Sequence, residues 1–305
     1  MGSAAKPLAQ RSCNRQTTEE TMIVSHKELD QIRQAIMDGQ QAPRLAARVS
    51  GLTLGAAFEC CCANWFWETT GISNGSHFFD VIKAKFPALG LISNALKKGR
   101  NLKRNRGVFD PLRSELRTVQ KKEELSSEDF GLFQMRFSRS LEQAGFGREL
   151  GRAIAVAFGE MADNIVQHAK QPAGVHGIVA YQVTSRAMCF AVADVGQGIL
   201  KSLSQTSAWK HLSTDREAIM AAVREGATSR ASAIQGTGFK QVHQALTGYN
   251  GHMRFRSGNA VLALDGRTEP KMAMTRLVAP MGGFQLFVSC ELENRGENFL
   301  LDSFR

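Results

Sequence analysis

The sequence predicts an α+β fold: a two-layer α/β sandwich, with a mixed sheet carrying helices on one face, preceded by a smaller mixed α/β region. Three observations lead there. Two helical stretches, 127–144 and 148–169, run directly into two short apolar segments of strand length, 177–183 and 187–193. Helical patterning returns at 214–226 and again after Gly238, and the unit closes in further strand-like runs. This order segregates helices from strands, which favours helices on one face of a sheet over a doubly wound parallel fold.

In the first helix Phe130, Phe133, Phe137 and Leu141 recur at three- and four-residue spacing behind Ser126 or Ser127 as the cap, and Gly145 to Gly147 end it. The second closes at Pro172 and Gly174. The two runs that follow read as a hairpin. A Thr214-x-x-Glu217 capping box opens the third helix, which ends near Gly226. A glycine turn at Gly236 and Gly238 opens a fourth, with Val242, Ala245, Leu246 and Tyr249 on one face, and Asn250-Gly251 marks a turn. Strands are expected at 252–256, 260–264 and 283–291.

The rest of the 305-residue chain divides into a disordered leader (1–22), an N-terminal region without a recognisable motif (23–110), a linker (111–124), the sandwich (125–292) and a tail (293–305). At 43% hydrophobic residues a real core can form. Arg48, Glu59 and Asn64 break the most apolar stretch, so no run of about 18 apolar residues marks a membrane span. The polar N-terminus lacks the apolar core of a secretory signal, and a cytoplasmic protein is expected. Cys60, Cys61 and Cys62 are adjacent, a spacing that suits neither a disulfide framework nor a zinc site, and Cys189 reads as a small core residue. Much of the +10 net charge lies in KKGRNLKRNRGVFDPLR at 97–113, which reads as a solvated linker ahead of a nucleic-acid contact.

Chemistry concentrates in three places. At 100° per residue Glu160, Asp163, Asn164, Gln167 and His168 share one stripe of the second helix, while Ile154, Phe158, Met161, Ile165 and Ala169 share the other. A polar stripe without lysine or arginine offers hard oxygen ligands for Mg²⁺ and a base one turn away. Asp194-Val-Gly196-Gln-Gly198-Ile199 follows a strand directly, where a carboxylate can accept from an exocyclic amine and glycines let backbone approach a flat ligand. Gly236-Thr237-Gly238-Phe239 opens a helix, where free backbone N–H groups can wrap phosphates.

In this order and spacing, the stretch 125–292 resembles the GHKL ATPase superfamily of gyrase, heat-shock chaperone, histidine kinases and MutL. FGEMADNIVQHA and DVGQGI are closest to the anti-sigma-factor serine kinases and related stand-alone ATP-binding regulators. The resemblance implies ATP and Mg²⁺ as cofactors. Asn164 would bind the Mg²⁺ that bridges the phosphates, and Glu160 would activate the attacking hydroxyl or water. Asp194 would recognise adenine in a pocket shaped by Gly196, Gly198 and Ile199. His168 would support the site, Gly236, Thr237, Gly238 and Phe239 would face the phosphates, and Thr228 and Ser229 match the polar segment before that loop. The stretch 200–235 would be the ATP lid. Where many members read GLGL, this chain has Gly238-Phe239-Lys240.

The expected activity is phosphoryl transfer to a partner protein, with an ATP-gated binding switch of little turnover, or an ATPase in nucleic-acid maintenance, as alternatives. A protein partner or phosphoacceptor and a homodimer are the expected associations, and nucleic acid is not favoured. His26, in His26-Lys-Glu-Leu, lacks the downstream proline of a sensor kinase's phosphoacceptor and is expected to be a surface histidine.

Overall fold

The computed structural model describes residues 21–99, 114–168, 177–185, 187–224, 242–243, 246–247, 249–267 and 274–292. Its N-terminal part is mixed α/β, as expected. Strand β1 (Met22–Val24) pairs in parallel with β2 (Val49–Leu52), surrounded by α1 (His26–Met37), α2 (Ala42–Ala47), α3 (Leu54–Thr70), α4 (Ser73–Lys85) and α5 (Pro87–Lys98). Ser25 and Glu28 form a reciprocal capping box that starts α1. Gly71 and Gly99, both left-handed, stop α3 and α5.

The rest builds a five-stranded sheet from β3 (Ser114–Val119), β4 (Gly177–Val183), β5 (Ala187–Ala193), β6 (His252–Asp265) and β7 (Thr275–Glu291), in the order β3-β4-β5-β7-β6. Every pairing in it is antiparallel, where the sequence suggests a mixed sheet. The expected helices α7 (Glu128–Gln143), α8 (Arg148–His168) and α10 (Asp215–Arg224) form, together with short α6 (Lys122–Leu125) and α9 (Gly198–Leu203). Ser127 caps α7, and Thr214 with Glu217 closes the predicted capping box on α10.

The expected strands at 252–256 and 260–264 are the two arms of β6. The Gly266 N–H donates to the Gly251 carbonyl at 2.8 Å, so the ends of β6 lie together. Fourteen extended residues would separate them by about 45 Å. The bend falls at Gly258, at φ +58°, whose neighbour Asn259 donates its N–H to Asp215.

The α+β sandwich is thus present, and it gains a layer. Phe133, Phe137, Phe158, Ile165, Val192, Phe284 and Leu286 form the core between the sheet and α7, α8 and α10. The opposite face, through Ile178, Ala180, Cys189, Ala191 and Ala193, shares a second core with α1, α3, α4 and α5. Residues 23–99 are therefore built against the sheet. The triple cysteine lies in α3, a helix apolar on nearly every side, and burial pushes the Cys60 thiol up to about 12.

The linker expected at 111–124 needs correction, because Ser114–Val119 is the edge strand of the sheet and 122–125 is helical. Its alternation places Ser114, Leu116 and Thr118 inward on one face, but Glu115 and Arg117 made so short a run read as charged connection. Both charges are engaged: Arg136 and Tyr181 bond Glu115, and Arg117 bonds Asp129. Met22, placed in the leader, opens β1. Residues 1–20, most of the basic stretch and the tail from 293 lie outside the described residues. At the near end of the basic stretch Lys97 is tied to Glu68 at 2.6 Å.

Candidate functional site

Sheet pairing carries the helix stripe and the aspartate to one end of the sandwich. A Cβ on Gly177, the first residue of β4, would lie 2.1 Å from Cγ2 of Ile165, so glycine is what lets α8 press onto the strand there. Ile178 pairs with Ala193, the last residue of β5, and Asp194 follows. Asn164 and Asp194 therefore belong to the same sheet end, and α8 also touches α9. On α8 the predicted core residues Ile154, Phe158, Met161 and Ile165 are buried, while Glu160, Asp163 and Asn164 are half-buried. The Asn164 amide nitrogen lies 3.8 Å from the Met161 sulfur, leaving its carbonyl oxygen as the end available to a cation.

Asp194 is wholly buried. Its Oδ1 accepts from the Gly196 N–H at 2.7 Å, and its Oδ2 has no partner. Burial pushes the carboxyl up to about 7, against the opposing hydrogen bond from Gly196. A carboxylate held there without a second donor is costly to the fold, which points to a ligand group that supplies one.

The turn after Asp194 is held from the sheet. Asp194 N–H donates to the Phe284 carbonyl and Gly283 N–H to the Gly196 carbonyl, each at 2.9 Å. Ser257 Oγ donates to the Gly283 carbonyl and accepts from the Ile199 N–H, both at 3.0 Å. The Gln285 amide donates to the Asp194 and Gly282 carbonyls at 2.9 and 3.1 Å. Gly198 sits at φ +77° with a would-be Cβ 3.0 Å from Ser257 Oγ, and Gly283 at φ +73° with one 2.0 Å from the Asp194 carbonyl oxygen. A side chain at Gly283 would collide with backbone, and one at Gly198 would be strained by its positive φ and crowd Ser257. Ile199 packs on the core shared with α7 and α8.

Thr228, Ser229, Gly236, Thr237, Gly238 and Phe239 lie outside the described residues, as does the side chain of His168. Among the described residues no group of three or more His, Cys, Asp or Glu is placed to hold a metal. A cation bound through one Asn164 carbonyl and the phosphates of a nucleotide needs no such group. No helix among them is long and apolar enough to cross a membrane. A cleft of about 480 Å³ beside Asn250, His252 and Asp265 contains none of the predicted residues. His252 pairs with Ser289, four positions along β7 from Gln285, so that cleft lies away from Asp194.

Sequence reasoning missed the ion cluster behind this turn. Arg254 Nε donates to Glu59 at 2.6 Å and its Nη2 to Asp30 at 2.9 Å, with all three residues buried. Arg256 donates to Asp30 and to the Ala279 carbonyl, and Arg33 reaches the Ala279 and Pro280 carbonyls at 2.9 and 2.7 Å. Burial alone would raise the Glu59 carboxyl, but Arg254 leads the charges that hold it well below the usual carboxylate range. His26 is no surface residue: its ring is tilted against Phe287, and a Cβ on Gly55 would meet it at 2.3 Å. Burial lowers its pKa to about 4 despite Glu59, so the 3.7 Å contact to that carboxylate is no ion pair at neutral pH. Arg254 and Arg256 alternate on one face of a strand, and Glu59 interrupts an apolar run; that pattern was the available signal.

Compared with protein-family models, curated proteins and solved structures, the chain finds no match.

Proposed function

We propose that this protein is a cytoplasmic regulator that binds Mg-ATP at the Asp194 end of the sheet and transfers phosphate to a serine, threonine or histidine of a partner protein. One observation carries the reading: a fully buried carboxylate with one oxygen held by its own turn and the other without a partner. An exocyclic amine such as that of adenine offers that oxygen the missing donor. Gly198 and Gly283 keep side chains away from the backbone beside it.

Asn164 would hold Mg²⁺ through its carbonyl oxygen. Glu160, one turn earlier on the same helix, is placed in sequence to take the proton of the accepting hydroxyl or water. Mg-ATP supplies the transferable γ-phosphoryl group, and positioning with charge neutralisation accounts for most of the acceleration. Complete burial of Asp194 favours one further element. Admitting a base must move whatever covers the carboxylate, so binding is linked to conformational change, and an ATP-gated switch with little turnover is the second reading.

Incubation with γ-labelled ATP separates the two. Labelled partner or free phosphate that disappears in Glu160→Ala supports transfer. Tight binding with no turnover supports the switch.

A further inference from the structure

Helix α7 carries a stripe on the face opposite its core. Glu128, Leu132, Met135 and Arg139 recur at spacings of four, three and four residues and all are exposed, Leu132 at 42% and Met135 at 47%. The charged residues beside the stripe are used within the chain: Asp129 pairs with Arg117, and Arg136 with Glu115. Among the described residues Glu128 and Arg139 have no such partner.

The stripe is acidic at its N-terminal end, apolar in the middle and basic at its C-terminal end. It is also symmetric about its midpoint: Glu128 lies as far before Leu132 as Arg139 lies beyond Met135. A two-fold axis between Leu132 and Met135 therefore sets Leu132 of one copy on Met135 of the other and each Glu128 opposite an Arg139. That is the self-complementarity an isologous interface requires.

We infer that two copies of this chain associate through antiparallel α7 helices, with Leu132 and Met135 at the centre and Glu128–Arg139 pairs at both ends. The surface is independent of the nucleotide reading. One helix face buries less than the about 800 Å² per partner of a standard interface, so the dimer is weak, reversible and salt-sensitive.

Sedimentation velocity over a concentration series tests it with the full chain. Glu128→Arg and Arg139→Glu, each alone, set like charges opposite one another and weaken dimerisation by about tenfold or more, while the double variant restores it. Met135→Glu abolishes it. Because the double variant carries both changes to the helix, its recovery is something a damaged fold could not give. A wild-type chain that stays monomeric throughout the series overturns the inference, as do single variants that dimerise unchanged or a double variant as weak as the singles. Should Glu128→Arg fail to fold, Arg139→Glu and Met135→Glu make the same prediction at positions clear of the helix start.

Discussion

Asp194→Asn should stabilise the ligand-free protein at alkaline pH while weakening ATP binding by about tenfold, the share that recognition of the amine contributes. The carboxyl titrates at about 7 in the fold and at 3.8 when free. At about 1.4 kcal/mol for each pH unit, ionising it costs the folded state about 4 kcal/mol. The sign follows from proton binding. Below pH 4 both folded and unfolded chains hold the proton and nothing is lost. As pH rises from 4 to 7 the unfolded chain ionises while the folded one keeps its proton, so stability falls, and above 7 the full cost applies. Asparagine keeps the acceptor for the Gly196 N–H but places an amide where Oδ2 has no partner, which costs about 1–3 kcal/mol at any pH. The variant should be less stable than wild type near pH 4 and more stable, by about 1–3 kcal/mol, at pH 8. Each kcal/mol corresponds to about 2–4 °C in Tm for a chain near this size. Calorimetric melting of both proteins from pH 4 to 8 reads the crossover. A Tm difference that stays constant over that range would refute the buried, strained carboxylate.

Two further predictions concern what holds the turn and its backing. Gly283→Ala places a Cβ 2.0 Å from the Asp194 carbonyl oxygen at φ +73° and should cost more than about 3 kcal/mol. Gly282→Ala, whose Cβ would meet the Val195 carbonyl oxygen at an ordinary 3.4 Å, should cost less than about 1 kcal/mol by the same urea unfolding, and equal costs would contradict the geometry. Arg254→Met strands the buried Glu59 carboxylate and should cost about 3–5 kcal/mol, whereas Glu59→Gln in the same background should recover part of the loss. A loss under about 1 kcal/mol would show that the cluster does not tie α1 and α3 to the sheet.

The sandwich was legible where patterning was local. Phe130, Phe133, Phe137 and Leu141 announce α7 by period alone, and Thr214 with Glu217 marks the start of α10 to the residue. The strand pair at 177–193 was legible because both its faces are buried and its runs are almost wholly apolar, with Gln182 the exception. β3 was not, since its run is interrupted by two charges, Glu115 and Arg117, whose partners, Arg136 and Asp129, come from a helix later in the chain. The covering of the second sheet face was hidden for a related reason. Asp30 and Glu59 meet Arg254 and Arg256 across some two hundred residues, and no local pattern records such a pairing. At the candidate site the acidic residue and its glycines were legible as a motif. Ser257 and Gln285, which hold the turn in place, were not, because a serine and a glutamine in β-strands carry no signal until the strands are paired.

The central claim is that the free oxygen of Asp194 reads an exocyclic amine. Titration calorimetry of the wild-type protein with ATP and with inosine triphosphate, which lacks that amine, in the presence of Mg²⁺ tests it most directly. The account predicts that ATP binds at least about tenfold more tightly than inosine triphosphate, a difference of about 1.4 kcal/mol, and that Asp194→Ala erases the preference. Equal binding of the two nucleotides, or no binding of either, would contradict it.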